Sequence, residues 1–299
     1  MNALILINPH AAGGRARRLM PLIKAQCQLH RPLFDELLIE MPESIEAGLN
    51  LLRQTSPGTR VVIVGGDGTL NQMLPALVNS SLDIGLVPYG SGNDCARAWG
   101  LHRMKWPDTL TLALSGQVRK IDVGCIEMND GHAHYFHSSL AIGFDASVGN
   151  RALAGPKFLS GLPRYLLATL RELAKLRNWD MSISIEGVMV HQGTTLLGST
   201  LNTASYGGGM PAVPHAQIDD AQLNLLIAGQ FNRLETLLML PRLLMGLHLS
   251  HSRIRSEAFA NAAIRSTELM PLAADGESLG LSRHLKIKVL PSALNAVRN

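Results

Sequence analysis

The stretch that most constrains how this chain folds is Val64-Gly65-Gly66-Asp67-Gly68-Thr69-Leu70-Asn71. It follows Arg60-Val61-Val62-Ile63, a short apolar β-branched run that reads as a buried strand. A Leu/Met/Ala-rich helical pattern from Leu70 to Val78 comes after it. Glycines at a strand-to-helix turn let the backbone reach positive φ and approach a ligand closely. The first amides of the helix then point at whatever sits there, with the positive end of the helix dipole behind them. Such a turn suits phosphate. Asp67 would repel a bare phosphate unless a divalent cation came between, which points to a Mg²⁺–nucleotide. Taken alone, the turn is equally a tight connection with a solvated aspartate.

At 299 residues the chain is long for one core, so two domains are expected. A hydrophobic fraction of 46% with 17% charged residues describes a globular protein with a large core. The net charge of +4 suits anionic ligands or an anionic membrane surface. Basic residues are too scattered, and aromatics at 4% too few, to argue for a nucleic-acid partner. Cys27, Cys95 and Cys125 lie far apart, which fits a reducing compartment without disulfides or a metal cluster. The N-terminus lacks a basic region and its apolar run is short, so it reads as a first strand and the cytoplasm is expected.

Taken in order, Ala3–Ile7 reads as a strand and Asn8-Pro9-His10-Ala11-Ala12-Gly13-Gly14-Arg15 as a second Gly-bearing loop. A helix is expected over Arg15–Gln28, a strand over Leu33–Ile39, a helix over Glu43–Arg53 and a strand over Arg60–Val64. Asp83–Val87 is a further strand, and Pro88-Tyr89-Gly90-Ser91-Gly92-Asn93-Asp94 a third Gly-rich loop entering a helix at Cys95–Trp99. Strands alternating with helices at this spacing imply a doubly wound parallel sheet. Right-handed crossovers would bring the three loops to one edge of it, where ligands bind in such folds. No Gly-Lys-Ser/Thr is present, so a P-loop is excluded, and neither a Rossmann Gly-x-Gly-x-x-Gly nor a Gly-x-Ser-x-Gly elbow appears.

Past residue 120 the pattern becomes all-β, with strands expected over Lys120–Met128, His134–Ile142, Asp180–Glu186, Val188–Gly198, Thr200–Ser205, Leu223–Ile227, Ser252–Ser256, Ala262–Thr267 and Arg283–Leu290. A helix over Leu162–Leu176 intervenes. This reads as a β-sandwich with helical decorations, its boundary near Asp122. Phe231–Leu249 is strongly apolar but carries Arg233, Glu235, Pro241, Arg242 and His248, costly groups inside a bilayer. A core helix or a Pro-broken helical pair is expected there, with a lipid-facing surface as the alternative. His132, His134 and His137 lack a carboxylate at ligand spacing, so no metal site is expected of them. Gly207-Gly208-Gly209 either admits substrate or simply turns. The acidic turn at Asp219-Asp220 is either solvated or holds a hard cation. Asp275-Gly276-Glu277 is either a plain hairpin turn or a rigid mount presenting a carboxylate as base or metal ligand.

Together, Asn8-Pro9…Gly13-Gly14-Arg15, Gly65-Gly66-Asp67-Gly68-Thr69-Leu70-Asn71, Pro88-Tyr89-Gly90-Ser91-Gly92-Asn93-Asp94 and the late Asp275-Gly276-Glu277 resemble the diacylglycerol kinase catalytic-domain family, and within it the compact bacterial, YegS-like lipid kinases. The resemblance covers essentially the whole chain. It implies an α/β ATP-binding domain of NAD kinase/6-phosphofructokinase type over 1–122 plus about 291–299, and a β-sandwich lipid-substrate domain over 123–290. ATP and lipid would meet in the cleft between them, at the inner face of the membrane. It also implies that Asn8, Gly65, Gly66, Asp67, Gly68, Thr69, Asn71, Ser91, Asn93 and Asp94 hold the nucleotide, with Asp67 acting through Mg²⁺. Glu277 would be the general base, and Asp220 a Mg²⁺ ligand with the backbone oxygens of Gln217 and Gln222. Arg15 is a candidate cation for the phosphates.

Four positions depart from the family pattern: Gln72 for Glu, Met41 for Thr, Ala11 for a small polar residue, and Ala221 for the Gly after Asp220. The last puts a side chain on a turn expected to need positive φ. The alternatives are a soluble-substrate kinase acting on NAD or a sugar phosphate, and a non-catalytic nucleotide- or lipid-binding protein. The sequence leaves the acceptor and the oligomeric state, a homodimer included, open.

Overall fold

Apolar runs too short for helices become the strands that carry the Gly-rich loops. The computed structural model describes residues 1–90, 92–128, 131, 133–156, 159 and 161–299. They form two units: Met1–Ile121 with Ser292–Asn299, and Asp122–Pro291.

The first unit contains β1 (Ala3–Ile7), α1 (Met20–His30), β2 (Leu37–Glu40), α2 (Ile45–Gln54), β3 (Arg60–Gly65), α3 (Asp67–Leu77), β4 (Asp83–Pro88), α4 (Asp94–Ala98) and α5 (Trp106–Ser115). The strands pair in parallel in the order β2-β1-β3-β4, and Asn295–Ala296 adds a parallel segment beside β4. Every residue of β1 and β3 is buried, as their unbroken apolar runs require of a sheet covered on both faces. Gly85 lets α5 close on β4, because a Cβ there would sit 2.5 Å from Ala113 Cβ. The buried Arg60 guanidinium donates to the carbonyls of Ala113 and Gly116 at the end of α5, where a cation complements the helix dipole.

The expected elements are present with shifted ends. The Arg15–Gln28 helix is a regular α-helix only from Met20. Ahead of it Ala12, Gly13 and Gly14 are left-handed, and Pro21 occupies the first turn, where its missing N–H costs nothing. The Leu33–Ile39 strand begins at Leu37, since Arg31–Leu33 forms a 3₁₀ turn containing Pro32. α5 was not anticipated, although Leu110, Ala113 and Leu114 mark its buried face at helical spacing.

The second unit runs from β5 (Val118–Glu127), whose first residues belong to the first unit, through β6 (Ala133–Phe136), β7 (Ser139–Ile142), α6 (Phe144–Leu153), α7 (Leu162–Leu173), β8 (Trp179–Ile185), β9 (Val188–Leu201), β10 (Leu223–Gly229), α8 (Arg233–Leu244), β11 (Ile254–Phe259) and β12 (Asn261–Ala274) into β13 (Glu277–Val297). Its core is a sandwich closed by long strands that change partners. Val188–Thr195 of β9 pairs with β8, and Thr195–Leu201 pairs with β10. β12 likewise pairs first with β8 and then with β7. Consequently the two expected strands Val188–Gly198 and Thr200–Ser205 are one. Conversely the expected His134–Ile142 strand is two, interrupted at His137-Ser138. The Phe231–Leu249 stretch gives α8, but not as a core helix: Leu234, Leu237, Leu238, Leu244 and Met245 are all exposed. No helix among the described residues is long and apolar enough to cross a membrane.

Candidate functional site

In the first unit, three strand-end loops are joined into one hydrogen-bonded assembly. Asn8 follows β1; its Nδ2 donates to Thr69 Oγ1 (2.7 Å), and its own N–H donates to the Val64 carbonyl (3.1 Å). Asn8 Oδ1 accepts the His10 amide (2.9 Å), which fixes the start of the first loop. After β4, the Tyr89 amide donates to the Gly65 carbonyl (2.8 Å).

The glycines here answer to packing. A Cβ on Gly66 would lie 2.8 Å from Gly90 Cα, and one on Gly90 2.6 Å from Gly66 Cα, so the second and third loops touch backbone to backbone. A Cβ on Gly65 would strike the Thr69 side chain at 2.5 Å.

Asp67 is the first residue of α3, and its carboxylate reaches across to the third loop. Oδ2 accepts the Asp94 amide (2.9 Å) and Oδ1 the Cys95 amide (3.0 Å), so Asp67 caps the start of α4 from another helix. Asn93, just before the same turn, has a left-handed backbone (φ 53°), and its Nδ2 donates back to the Gly90 carbonyl (3.0 Å). Asp94 is buried and pairs with Arg97 at 2.9 Å. Gly68 and Asn71 continue α3, half-buried. Ser91 lies outside the described residues. Arg15 is exposed, and its Nε donates to the Ala12 carbonyl (3.0 Å), bracing the left-handed turn of the first loop.

In the second unit, Asp275 and Gly276 both have positive φ (48° and 87°), the pattern of a two-residue hairpin between β12 and β13. The Asp275 carboxylate is fully buried and turned inward. Its Oδ2 accepts the His137 amide (2.9 Å), and its Oδ1 accepts the Ser138 (2.9 Å) and Ser139 (3.0 Å) amides. His137 Nε2 lies 3.5 Å from Oδ2. Hence Asp275 fixes the turn, and Glu277 lies half-buried at the start of β13. This clamp also breaks the expected His134–Ile142 strand. Of the three histidines, His132 is outside the described residues, and His137 serves Asp275.

The acidic turn is organised by Asp122, which sequence reasoning used only as a boundary. Asp122 donates its amide to the Ile218 carbonyl (2.7 Å) and accepts the Ala221 amide on Oδ2 (2.7 Å). Ala221 has φ 59°, the left-handed conformation expected of a glycine. Asp220 Oδ1 accepts the Gln222 amide (3.0 Å), and Gln217, Asp220 and Gln222 are all exposed. Among the described residues no group of three His, Cys, Asp or Glu side chains could hold a metal ion. A cation at this turn would therefore rest on at most the two exposed carboxylates of Asp219 and Asp220 and on backbone oxygens. The Gly207–Gly209 loop packs on the start of α7, where a Cβ on Gly208 would meet the Leu162 nitrogen at 2.8 Å.

Asp145, at the start of α6, escaped the sequence reading. It is buried, accepts from Ser199 Oγ (2.5 Å) and the Ala146 amide (2.9 Å), and burial pushes its carboxyl up to about 7.

Comparison with known proteins follows the same division. The diacylglycerol kinase catalytic domain family matches residues 2–126, and the YegS C-terminal NAD kinase beta sandwich-like domain matches residues 138–298. A diacylglycerol kinase of Mycobacterium tuberculosis is 28% identical over 238 residues, 80% of this chain and 76% of the relative. A probable YegS-like lipid kinase of Pectobacterium atrosepticum is 30% identical over 242 residues, 79% of this chain and 76% of the relative. Among solved structures, a diacylglycerol kinase from Bacillus anthracis superposes with a TM-score of 0.72 at 16% identity, over 100% of this chain and 97% of that one. An NAD kinase from Archaeoglobus fulgidus in complex with ATP gives a TM-score of 0.57 at 14% identity, over 100% and 94%. Both likenesses speak for the fold.

Proposed function

Because the chain belongs to the diacylglycerol kinase catalytic-domain family, we propose that it is an ATP-dependent lipid kinase. It transfers the γ-phosphate to a hydroxyl of a diacylglycerol-like acceptor. The observation that carries the reading is the joining of three loops through Asn8, Asp67 and the Gly66–Gly90 contact. Phosphoryl transfer depends mainly on positioning and charge stabilisation, and amide-bearing loops locked to one another supply rigid positioning.

In this reading the loops hold the nucleotide phosphates, and Glu277 takes the proton of the attacking lipid hydroxyl. The hydroxyl oxygen bonds to the γ-phosphorus as the bond to the bridging oxygen breaks, and ADP leaves. Asp67 accepts the Asp94 and Cys95 amides, and in this reading it would also act on a cation through water. The Asp219-Asp220 turn, with both carboxylates exposed, suits a hard cation completed by water. Mg²⁺ held at Asp67 would offset the charge on the phosphates.

The test is transfer of labelled γ-phosphate from ATP to a panel of diacylglycerol, monoacylglycerol, phosphatidylglycerol, ceramide and sphingosine in mixed micelles, with NAD as a soluble acceptor. Wild type should label at least one lipid, and Glu277→Gln should lower kcat by about 10²–10⁴-fold with nucleotide binding retained. Labelling of NAD and of no lipid would refute the assignment in favour of a soluble-substrate kinase.

A further inference from the structure

Helix α8 is apolar on two opposite faces, and only one of them is covered. Its inner side sets Thr236 into the interior and packs Met239 and Leu243 on the sandwich core. Its outer side exposes Leu234 (65%), Leu237, Leu238 (66%), Pro241 and, just past the helix end, Met245 (61%). These positions follow i, i+3, i+4, i+7 and i+11 and so form one stripe. Arg233 and Arg242, both exposed, border it at roughly 100° and 80° either side of Leu234, given 3.6 residues per turn. Neither forms an ion pair among the described residues. Glu235, the one acid of the helix, is taken by Arg253 (2.7 Å) and by the capping box with Asn232. The charge offered around the stripe is therefore positive.

We propose that this face of α8 docks the chain on an anionic lipid bilayer, with the helix lying in the interface. The choice of occupant rests on the lipid-kinase reading, which places the acceptor in a membrane. A bilayer meets both halves of the surface at once: acyl chains take the leucines, and headgroup phosphates take Arg233 and Arg242. At about 18 Å the helix is too short to span a hydrocarbon core of about 30 Å, so it lies in the surface. A second copy fits less well. Packed on itself, α8 would bring Arg233 and Arg242 of both copies to the rim of one apolar seam, with its one acid, Glu235, already taken by Arg253.

The test is sedimentation of the full chain with phosphatidylcholine vesicles, with and without phosphatidylglycerol, in the absence of ATP. Wild type should partition onto the phosphatidylglycerol vesicles, less so as salt is raised. Leu234→Ser/Leu238→Ser should weaken partitioning by about tenfold or more, and Arg233→Glu/Arg242→Glu should abolish the preference for phosphatidylglycerol. Because these side chains are exposed, thermal unfolding should be unchanged, so lost binding cannot be put down to lost folding. Vesicle binding unaffected by the leucine variant overturns the proposal. So does a wild-type dimer that the leucine variant turns into a monomer while vesicle binding persists. The kinase reading is separated by a monomeric short-chain diacylglycerol, which the leucine variant should phosphorylate as fast as wild type while losing rate on vesicles. Docking through α8 with no lipid phosphorylated would refute the kinase reading and leave the docking surface supported.

Discussion

Removing the Asp275 carboxylate should cost a large part of the second unit's stability. Asp275→Ala leaves the amides of His137, Ser138 and Ser139 without their acceptor, all beside a fully buried position. An amide stranded in this way costs about 1–3 kcal/mol. Three of them, with partial relaxation, come to about 3–6 kcal/mol, against about 5–15 kcal/mol for a whole domain. Alanine also has to hold φ 48°, which adds about 1–2 kcal/mol. Asp275→Asn separates the two effects, since asparagine tolerates left-handed backbone. With its oxygen at the Oδ1 position it keeps the Ser138 and Ser139 bonds and sets an NH₂ against the His137 amide. The expected order of stability in urea is wild type, then asparagine, then alanine. Amide hydrogen exchange gives the sharper reading: in the asparagine variant His137 alone should lose protection. An alanine variant within about 0.5 kcal/mol of wild type, or equal loss at all three amides in the asparagine variant, would refute the clamp.

Two further perturbations follow from the second unit. Burial raises the Asp145 carboxyl from 3.8 to about 7, so the folded state binds this proton more tightly than the unfolded chain. Its contribution is fully present below pH 4 and is lost as pH rises through about 7. Relative to wild type, Asp145→Asn should therefore gain about 2–3 kcal/mol between pH 5 and pH 8, read from unfolding free energies at the two values. Ala221→Gly relieves a left-handed alanine (φ 59°) at about 1–2 kcal/mol while adding unfolded-chain entropy worth about 0.4–1 kcal/mol. The unfolding midpoint should rise, by roughly 0.5 kcal/mol in net stability.

Strand and helix identity in the first unit was legible because buried parallel strands are written as continuous apolar runs, as in Ala3–Ile7 and Arg60–Gly65. Element ends were less so. Nothing in residues 134–142 signals a break, because the break is made by Asp275, some 137 residues away. The same holds for β9 and β12, where one strand serves two partners and only the tertiary pairing reveals its continuity. Composition placed α8 inside, yet its leucines outnumber what one side of a sandwich can cover. Asp145 and Asp122 were missed because each is defined by groups remote in the chain, Ser199 and Ala221.

The motif acids show why the sequence made function easier to see than structure. Asp67 drew attention as an acid out of place in a phosphate turn, and a cation was the one partner visible locally. The geometry supplies two others, the Asp94 and Cys95 amides. The positive end of α4 is thereby met by a carboxylate. Asp275 does the corresponding work in the second unit, saturating three amides so that the neighbouring Glu277 stands on a fixed turn. In each unit one aspartate braces a loop by accepting backbone amides. That leaves a separate prediction for the pair: Asp67→Asn and Asp275→Asn should both lower turnover, the first chiefly by weakening nucleotide binding. The second should lower kcat with nucleotide affinity unchanged, and titration with a fluorescent ATP analogue distinguishes them.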